Sequence, residues 1–305
     1  MTGSSQAAHG IPPYAALPDG NIRDHFGADD RVGSLNRLTP EAVQHAASLV
    51  QTGEVYSLNA PLNWPEPPLF GRATVRHTIM RTALGNLDDV LDNFYPQGSS
   101  QWDGFAHIKD PEIGYYNGLP PEELGVDAWA RRGIAGRAVL FDMARYRQTQ
   151  GVPLHWHRKD VVTVDELEAF RAHAGFERLP GDIVLLRTGW TEGYQNATPA
   201  EQASARTDPT SPGLADGREM LEYLWDWGVS AIASDNISVE ALPPGPEPLH
   251  PHLLGRLGIP IGELWWLDAL ADACAADGRY EFLVTSAPLN LPGGIGSPAN
   301  ALALR

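Results

Sequence analysis

Apolar positions recur along the chain in two rhythms. Val43, Ala46, Ala47 and Val50 fall at helical spacing. Thr39-Pro40-Glu41 ahead of them supplies an N-cap and a proline suited to a first turn, so a helix is predicted to start near Thr39 and to end at Gly53. Thr163-Val164-Asp165-Glu166 has capping-box spacing and opens an amphipathic helix through His173. Residues 216–227 and 266–276 read as two more helices. Short apolar runs predict strands at 55–58, 137–143, 181–187, 229–233, 259–263 and 280–285. The four prolines of residues 61–71 exclude regular structure there, and residues 1–20, polar and broken by Gly and Pro, read as an irregular arm.

No internal repeat, low-complexity tract or long linker divides the chain. The reading is therefore an irregular arm, 1–20, followed by one mixed α/β domain, 21–305. The length of 305 residues allows a well-buried core, and 31 glycines with 26 prolines favour many turns and short strands over a helical bundle. No stretch approaches 18 apolar residues, which excludes a helical membrane span, and the first 30 residues contain no apolar segment of a secretory signal. A cytoplasmic protein is expected. The single cysteine, Cys274, excludes an internal disulfide framework and a thiolate metal cage. The net charge of −16, with Lys109 and Lys159 the two lysines, argues against nucleic-acid partners and anionic membranes.

Candidate chemistry concentrates in two segments. Gln97, Gln101, Asp103 and His107 share parity, so an extended chain would line one face with two amides, a carboxylate and an imidazole. Such a face is either a solvated edge strand or a site. Glu263 shares the parity of Ile259 and Ile261, and a carboxylate after buried apolar residues needs a partner or a metal, or else caps a helix. His9, His25, His45 and His173 lack neighbours at ligand spacing and read as surface or helix residues; His155 and His157 sit in a basic stretch and read as structural.

With these residues in view, the chain resembles the cyclase family of metal-dependent hydrolases, whose members include bacterial kynurenine formamidase and isatin hydrolase. Residues 97–107, QGSSQWDGFAH, fit without a gap the frame of that family's motif His-x-Gly-Thr-His-x-Asp-x-Pro-x-His. His250 to Glu263 resembles its late His…Glu motif with one extra residue, which leaves His252 as an alternative to His250. Further matching stretches are 30–36, 136–142, 181–190, 234–236 and 287–298. The resemblance implies a single α/β domain around a β-barrel-like sheet of the swivelling β/β/α type. It implies metal ligands at Asp103, His250 and Glu263 and an acid/base at His107. Both early histidine ligands of the family are replaced, by Gln97 and Gln101. Oxygen-rich ligands then favour one divalent ion, Mn²⁺ or Mg²⁺ before Zn²⁺, with Gln101 near it; an empty site is the alternative.

The activity implied is opening of an amide, imide or lactone, on an aryl formamide- or isatin-like substrate, by water activated at the metal. Asp103 and His107 would be the catalytic pair, and Gln97 would contact the ligand. The alternatives are a ring-forming cyclase or dehydratase using His107 and Asp103 with little or no metal, and a non-catalytic binding protein on the same fold. Trp64, Phe70, Tyr95, Trp102, Phe105, Trp265 and Trp266 are candidates to wall a flat apolar pocket, against core packing as the plainer role; Phe105 shares the parity of Asp103. The expected partners are a small aromatic or cyclic substrate and further copies of the chain, as a homodimer or homotetramer, with the arm and loop 61–71 packing on a neighbouring subunit.

Overall fold

Thr39 accepts a hydrogen bond from the Ala42 amide and opens helix α1, Pro40–Ser48, as its Thr-Pro-Glu start dictates. The helix closes at Leu49 rather than at Gly53, because Leu49 already caps Ala46 and Ala47. The computed structural model describes residues 11–305; His9 and the first half of the arm lie outside that range. Residues 11–20 form two short 3-10 turns, Tyr14–Ala16 and Pro18–Gly20. They pack against their own chain: the Tyr14 amide donates to Asp226 and the Trp225 indole donates to the Pro12 carbonyl.

The strands are β1 (Val55–Ser57), β2 (Arg76–Arg81), β3 (Leu87–Asp92), β4 (Gln101–Asp103), β5 (Ile134–Asp142), β6 (Val161–Val162), β7 (Ile183–Arg187), β8 (Gly213–Leu214), β9 (Ala231–Ser234), β10 (Ile261–Glu263), β11 (Glu281–Ser286), β12 (Gly296–Pro298) and β13 (Ala301–Leu304). After α1 come α2 (Asp127–Arg132), α3 (Met143–Thr149), α4 (Val164–Ala174), α5 (Trp190–Asn196), α6 (Pro199–Thr207), α7 (Arg218–Trp227) and α8 (Asp268–Asp277). One sheet holds nine of the strands, in the order β1-β13-β11-β5-β7-β9-β10-β4-β12. It curls into a half-barrel, the single-domain α/β arrangement expected.

The run β5-β7-β9-β10 is parallel and the flanking pairs are antiparallel. β7 and β9 are buried at every position, the continuous apolar pattern of a parallel sheet covered on both faces. Both N-terminal capping signals read from the sequence are realised: besides Thr39, Thr163 and Glu166 form a reciprocal box at α4. A second box, Thr198 with Glu201, starts α6. Residues 61–71 contain no helix or strand. No helix of the described residues is long and apolar enough to cross a membrane.

Two pairings position the site. β10 lies antiparallel to β4 with Glu263 opposite Gln101 and Ile261 opposite Asp103. β12 covers the other edge of β4 with Gly296 opposite Asp103. The hairpin β2–β3 forms a separate two-stranded sheet and exposes Ile79, Met80, Leu84, Leu87 and Leu91.

Candidate metal centre

Asp103, His250 and Glu263 each bring a ligand atom to within 4.8 Å of the others, and among the described residues they are the one such set of three. Side chains two apart share a strand face, so Gln101 and Asp103 point the same way, and the β10 register sets Glu263 across from Gln101. His250 caps the π-type turn Pro251–Arg256. Its Nε2 lies 3.0 Å from Glu263 Oε1 and 3.9 Å from Asp103 Oδ2. His252 turns away, its Nδ1 donating to the Pro248 carbonyl at 2.8 Å, so the extra residue of the motif is absorbed in the turn and His250 is the imidazole at the centre.

The second nitrogen of His250 is held by a residue that the sequence pattern did not single out. Nδ1–H donates to Glu240 Oε2 at 2.6 Å, and the His250 amide donates to Glu240 Oε1. Glu240 is 2% exposed and bridges in parallel to β8 through Leu214. A carboxylate behind a histidine fixes its tautomer and aims the other nitrogen. A lone glutamate in the apolar run Ile237–Leu242, ahead of the Pro-rich stretch 243–248, is the signal that could have found it.

The electrostatics of the group favour a positive charge among its carboxylates. Burial and the neighbouring Glu263 carboxylate push Asp103 up to about 6, against the pull of His107, His250 and Arg72. Burial works against a charged His250, yet Glu240 and Glu263 overcome it and hold the ring well above its usual value. Asp103 Oδ2 and Gln101 Oε1 are buried without any hydrogen-bond partner. Two carboxylates, one with an unpartnered oxygen, and one imidazole are a donor set that a divalent ion satisfies.

Gln101 meets this group through nitrogen. Its Nε2 donates to Glu263 Oε2 at 2.8 Å and to Asp103 Oδ1 at 3.3 Å. The amide thus ties the two carboxylates together.

His107 arrives by a turn and not by strand parity. Only Gln101–Asp103 is extended, and the His107 amide closes a turn on the Gly104 carbonyl at 2.9 Å. The parity expected over residues 97–107 fails there because the strand ends at Asp103 and residues 104–107 turn. The turn still brings Nε2 to 3.7 Å from Asp103 Oδ1. The Gln97 side-chain amide lies 3.3 Å from His107 Nδ1, so Gln97 holds the imidazole from behind. Burial lowers His107 below the usual histidine value, although Asp103 opposes this. Gly296 makes room for Gln97: a Cβ there would stand 2.7 Å from the amide carbon and from the Trp102 carbonyl.

The aromatic candidates separate. Trp102 and Phe105 are fully buried, so neither walls an open pocket. The Trp102 indole donates to Ser286 Oγ, and its ring lies edge-on to Trp129 and Trp265. Phe105 packs on Tyr116 and Trp129. Parity with Asp103 misled because Phe105 lies past the strand end. Trp64 joins Trp190, Tyr194 and Trp266 in a second aromatic cluster, and Phe70, at 49% exposure, lies beneath the Arg72 guanidinium.

A family model described as "Putative cyclase" matches residues 49–241. No curated protein sequence matches the chain. Among solved structures, a crystal structure of a novel cyclase is 32% identical, covering 93% of this chain and 99% of its own, with a TM-score of 0.83. Isatin hydrolase A from Labrenzia aggregata, bound to benzyl benzoate, is 19% identical with a TM-score of 0.58, covering 89% of this chain and 98% of its own. An isatin hydrolase bound to the product analogue thioisatinate is 20% identical with a TM-score of 0.60, covering 87% and 98%. The last two share the fold.

Proposed function

Because the chain belongs to the cyclase family, we propose that it is a metal-dependent hydrolase that opens an amide, imide or lactone of a small aromatic or cyclic substrate. The observation that carries this reading is the buried pair Asp103 and Glu263 beside His250 Nε2, with Asp103 Oδ2 unpartnered. Two carboxylates this close in a dry setting call for a positive charge between them.

These residues fit a single divalent ion held by Asp103, His250 and Glu263, with Mn²⁺ first, because it accepts carboxylate oxygen and imidazole alike. Such an ion supplies Lewis acidity at a substrate carbonyl and at water. The chain's own groups do the rest. Glu240 keeps Nδ1 of His250 protonated and so reserves Nε2 for the centre. Gln101 fixes the spacing of the two carboxylates. His107, neutral at physiological pH, takes a proton from the attacking water and returns it to the leaving nitrogen or oxygen. The reaction yields a carboxylate and a freed amine, amide or hydroxyl. Isatin hydrolases at 19–20% identity supply the first substrates to try, with aryl formamides and aromatic lactones beside them.

The test is acid release from that panel by the Mn²⁺- or Zn²⁺-loaded protein. Hydrolysis that disappears with chelator and returns with metal supports the reading; turnover indifferent to metal favours the ring-forming alternative, in which His107 and Asp103 act alone.

The reading includes association of copies as a homodimer or homotetramer. A two-stranded hairpin is marginal by itself, and β2–β3 bears exposed Ile79, Met80, Leu84 and Leu87. A monomer by light scattering at micromolar concentration defeats it.

A further inference from the structure

A cavity of about 710 Å³ opens well away in sequence from the Asp103 centre, between residues 11–13, the turn Gly33–Arg37 and the C-terminal end of α7. Its apolar wall includes Ile11, Phe26, Trp225 and Trp227, and Arg37 and Asp226 are its charged groups. The volume falls in the range of small-molecule sites.

Arg37 is the unusual group. It is 8% exposed, and its guanidinium carbon lies 4.2 Å from the centre of the Trp225 ring. Nη1 makes two long contacts, 3.4 Å to the Trp225 carbonyl and 3.3 Å to the Val229 carbonyl, and Nε has no partner. Among the described residues, no carboxylate lies within 4.0 Å of it. Every other strongly buried arginine is matched: Arg137 by Asp182, Arg187 by Asp142, Arg256 by Asp110 and Arg305 by Asp277. Burying a guanidinium without a counter-ion is costly, and a planar fork stacked on an indole is a ready carboxylate receptor.

We propose that this cavity binds a small monocarboxylate with an apolar body, its carboxylate paired with Arg37 and its body lying on Trp225, Trp227 and Phe26. Asp226 sets the number of acid groups. Its Oδ1 accepts the Tyr14 amide at 2.7 Å, and its charge stands in the same cavity, so a second carboxylate on the ligand is repelled. Burial pulls Arg37 down to about 10 and Asp226 pulls it back, which places both groups in one poorly solvated space. The inference does not depend on the hydrolase reading, because no residue of the Asp103 centre lines this cavity.

The test is calorimetric titration of the full chain with octanoate, and with 1-octanol and octylamine as neutral and cationic analogues. One octanoate per chain is expected, with octanol at least about tenfold weaker, the worth of a charge-assisted pair. Arg37→Met should weaken octanoate by a similar factor, and Asp226→Asn should tighten it. Asp103→Asn should leave it unchanged, which separates this cavity from the metal centre. No octanoate binding, equal affinity for octanol, or loss of binding in Asp103→Asn overturns the proposal. If Arg37→Met fails to fold, the octanoate–octanol contrast on the natural chain and the Asp226→Asn effect decide the matter.

Discussion

Glu240 accepts the Nδ1 proton of His250 at 2.6 Å, and through that bond a residue with no ligand atom at the centre decides which nitrogen faces it. Both side chains are almost fully withdrawn from water, so the contact is strong and hard to replace. Glu240→Gln keeps the shape, yet its amide can offer nitrogen to His250 and reverse the tautomer. Metal affinity should fall by about 10- to 100-fold, measured by competition with a chelator of known strength. Unchanged affinity would remove Glu240 from the centre's design.

Asp103→Asn should lose metal and activity together. The substitution removes one of three ligand groups and leaves Gln101 donating to an amide. Elemental analysis after metal loading checks it: retention of one ion per chain would show that Asp103 is not a ligand.

His107→Asn should behave in the opposite way. General acid/base groups contribute about 10²–10⁴ in rate, so turnover should drop by that factor while metal content and melting temperature stay near those of the natural chain. The acid limb of the kcat/KM profile tests the role further. Burial holds His107 below its usual 6.5, and the active form is the neutral ring, so activity should fall with acid only below pH 6.5. A profile whose acid limb lies above that value would assign the proton step elsewhere.

Acid stability should depend on Asp110. This carboxylate is fully buried, which alone would raise it, but Arg256 grips both oxygens and the Glu112 and Ile113 amides donate to it, so it titrates below the ordinary 3.8. Its stabilisation is complete above the unfolded value and disappears as pH falls through the lower native one. Asp110→Asn should cost about 1.5–3 kcal/mol at neutral pH, because Arg256 loses its buried partner and keeps only the exposed Glu112 carboxylate. The variant should also lose that share of the acid dependence, read from urea midpoints between pH 6 and 3.

Gly33→Ala should destabilise strongly without touching the chemistry. Gly33 has φ +62°, and a Cβ would stand 2.3 Å from the Gly258 carbonyl and 2.6 Å from the Phe105 ring. Both the left-handed backbone and the close approach require glycine. An unshifted melting temperature would contradict this packing.

Much of this architecture is written in local pattern. The capping signals at Thr39 and Thr163 act within one helical turn, and they form as read. The apolar runs of β5, β7 and β9 are equally plain, because covered parallel strands need no alternation. β2 and β3 escaped notice for the converse reason. None of their residues is fully buried, so RHTIMR and LDDVLD carry no core signature. Asp103, His250 and Glu263 were legible from their motif frame, and the fold brings them together. Glu240 was not, since its role exists only where the β8 bridge meets the turn after His250. The orientation of the Gln101 amide is likewise a product of register: Glu263 becomes its acceptor only because β10 lies opposite β4.

The same register sets a clock on synthesis. β4 finds its neighbours β10 and β12 only after residues 261–263 and 296–298 have been made, and β1 waits for β13 at 301–304. At ribosomal rates of about 5–20 residues per second, Asp103 exists for roughly ten to thirty seconds before Glu263 follows it. Within that interval β5, β7 and β9 are made one after another and can pair as they appear, while β4 has no strand to pair with. The Asp103–His250–Glu263 cluster is therefore complete only after the strands of the parallel core have been made. A nascent chain stalled short of residue 261 holds its central strands and no site, and it presents the unsealed edge of β9 to whatever chaperone or sister chain is nearest.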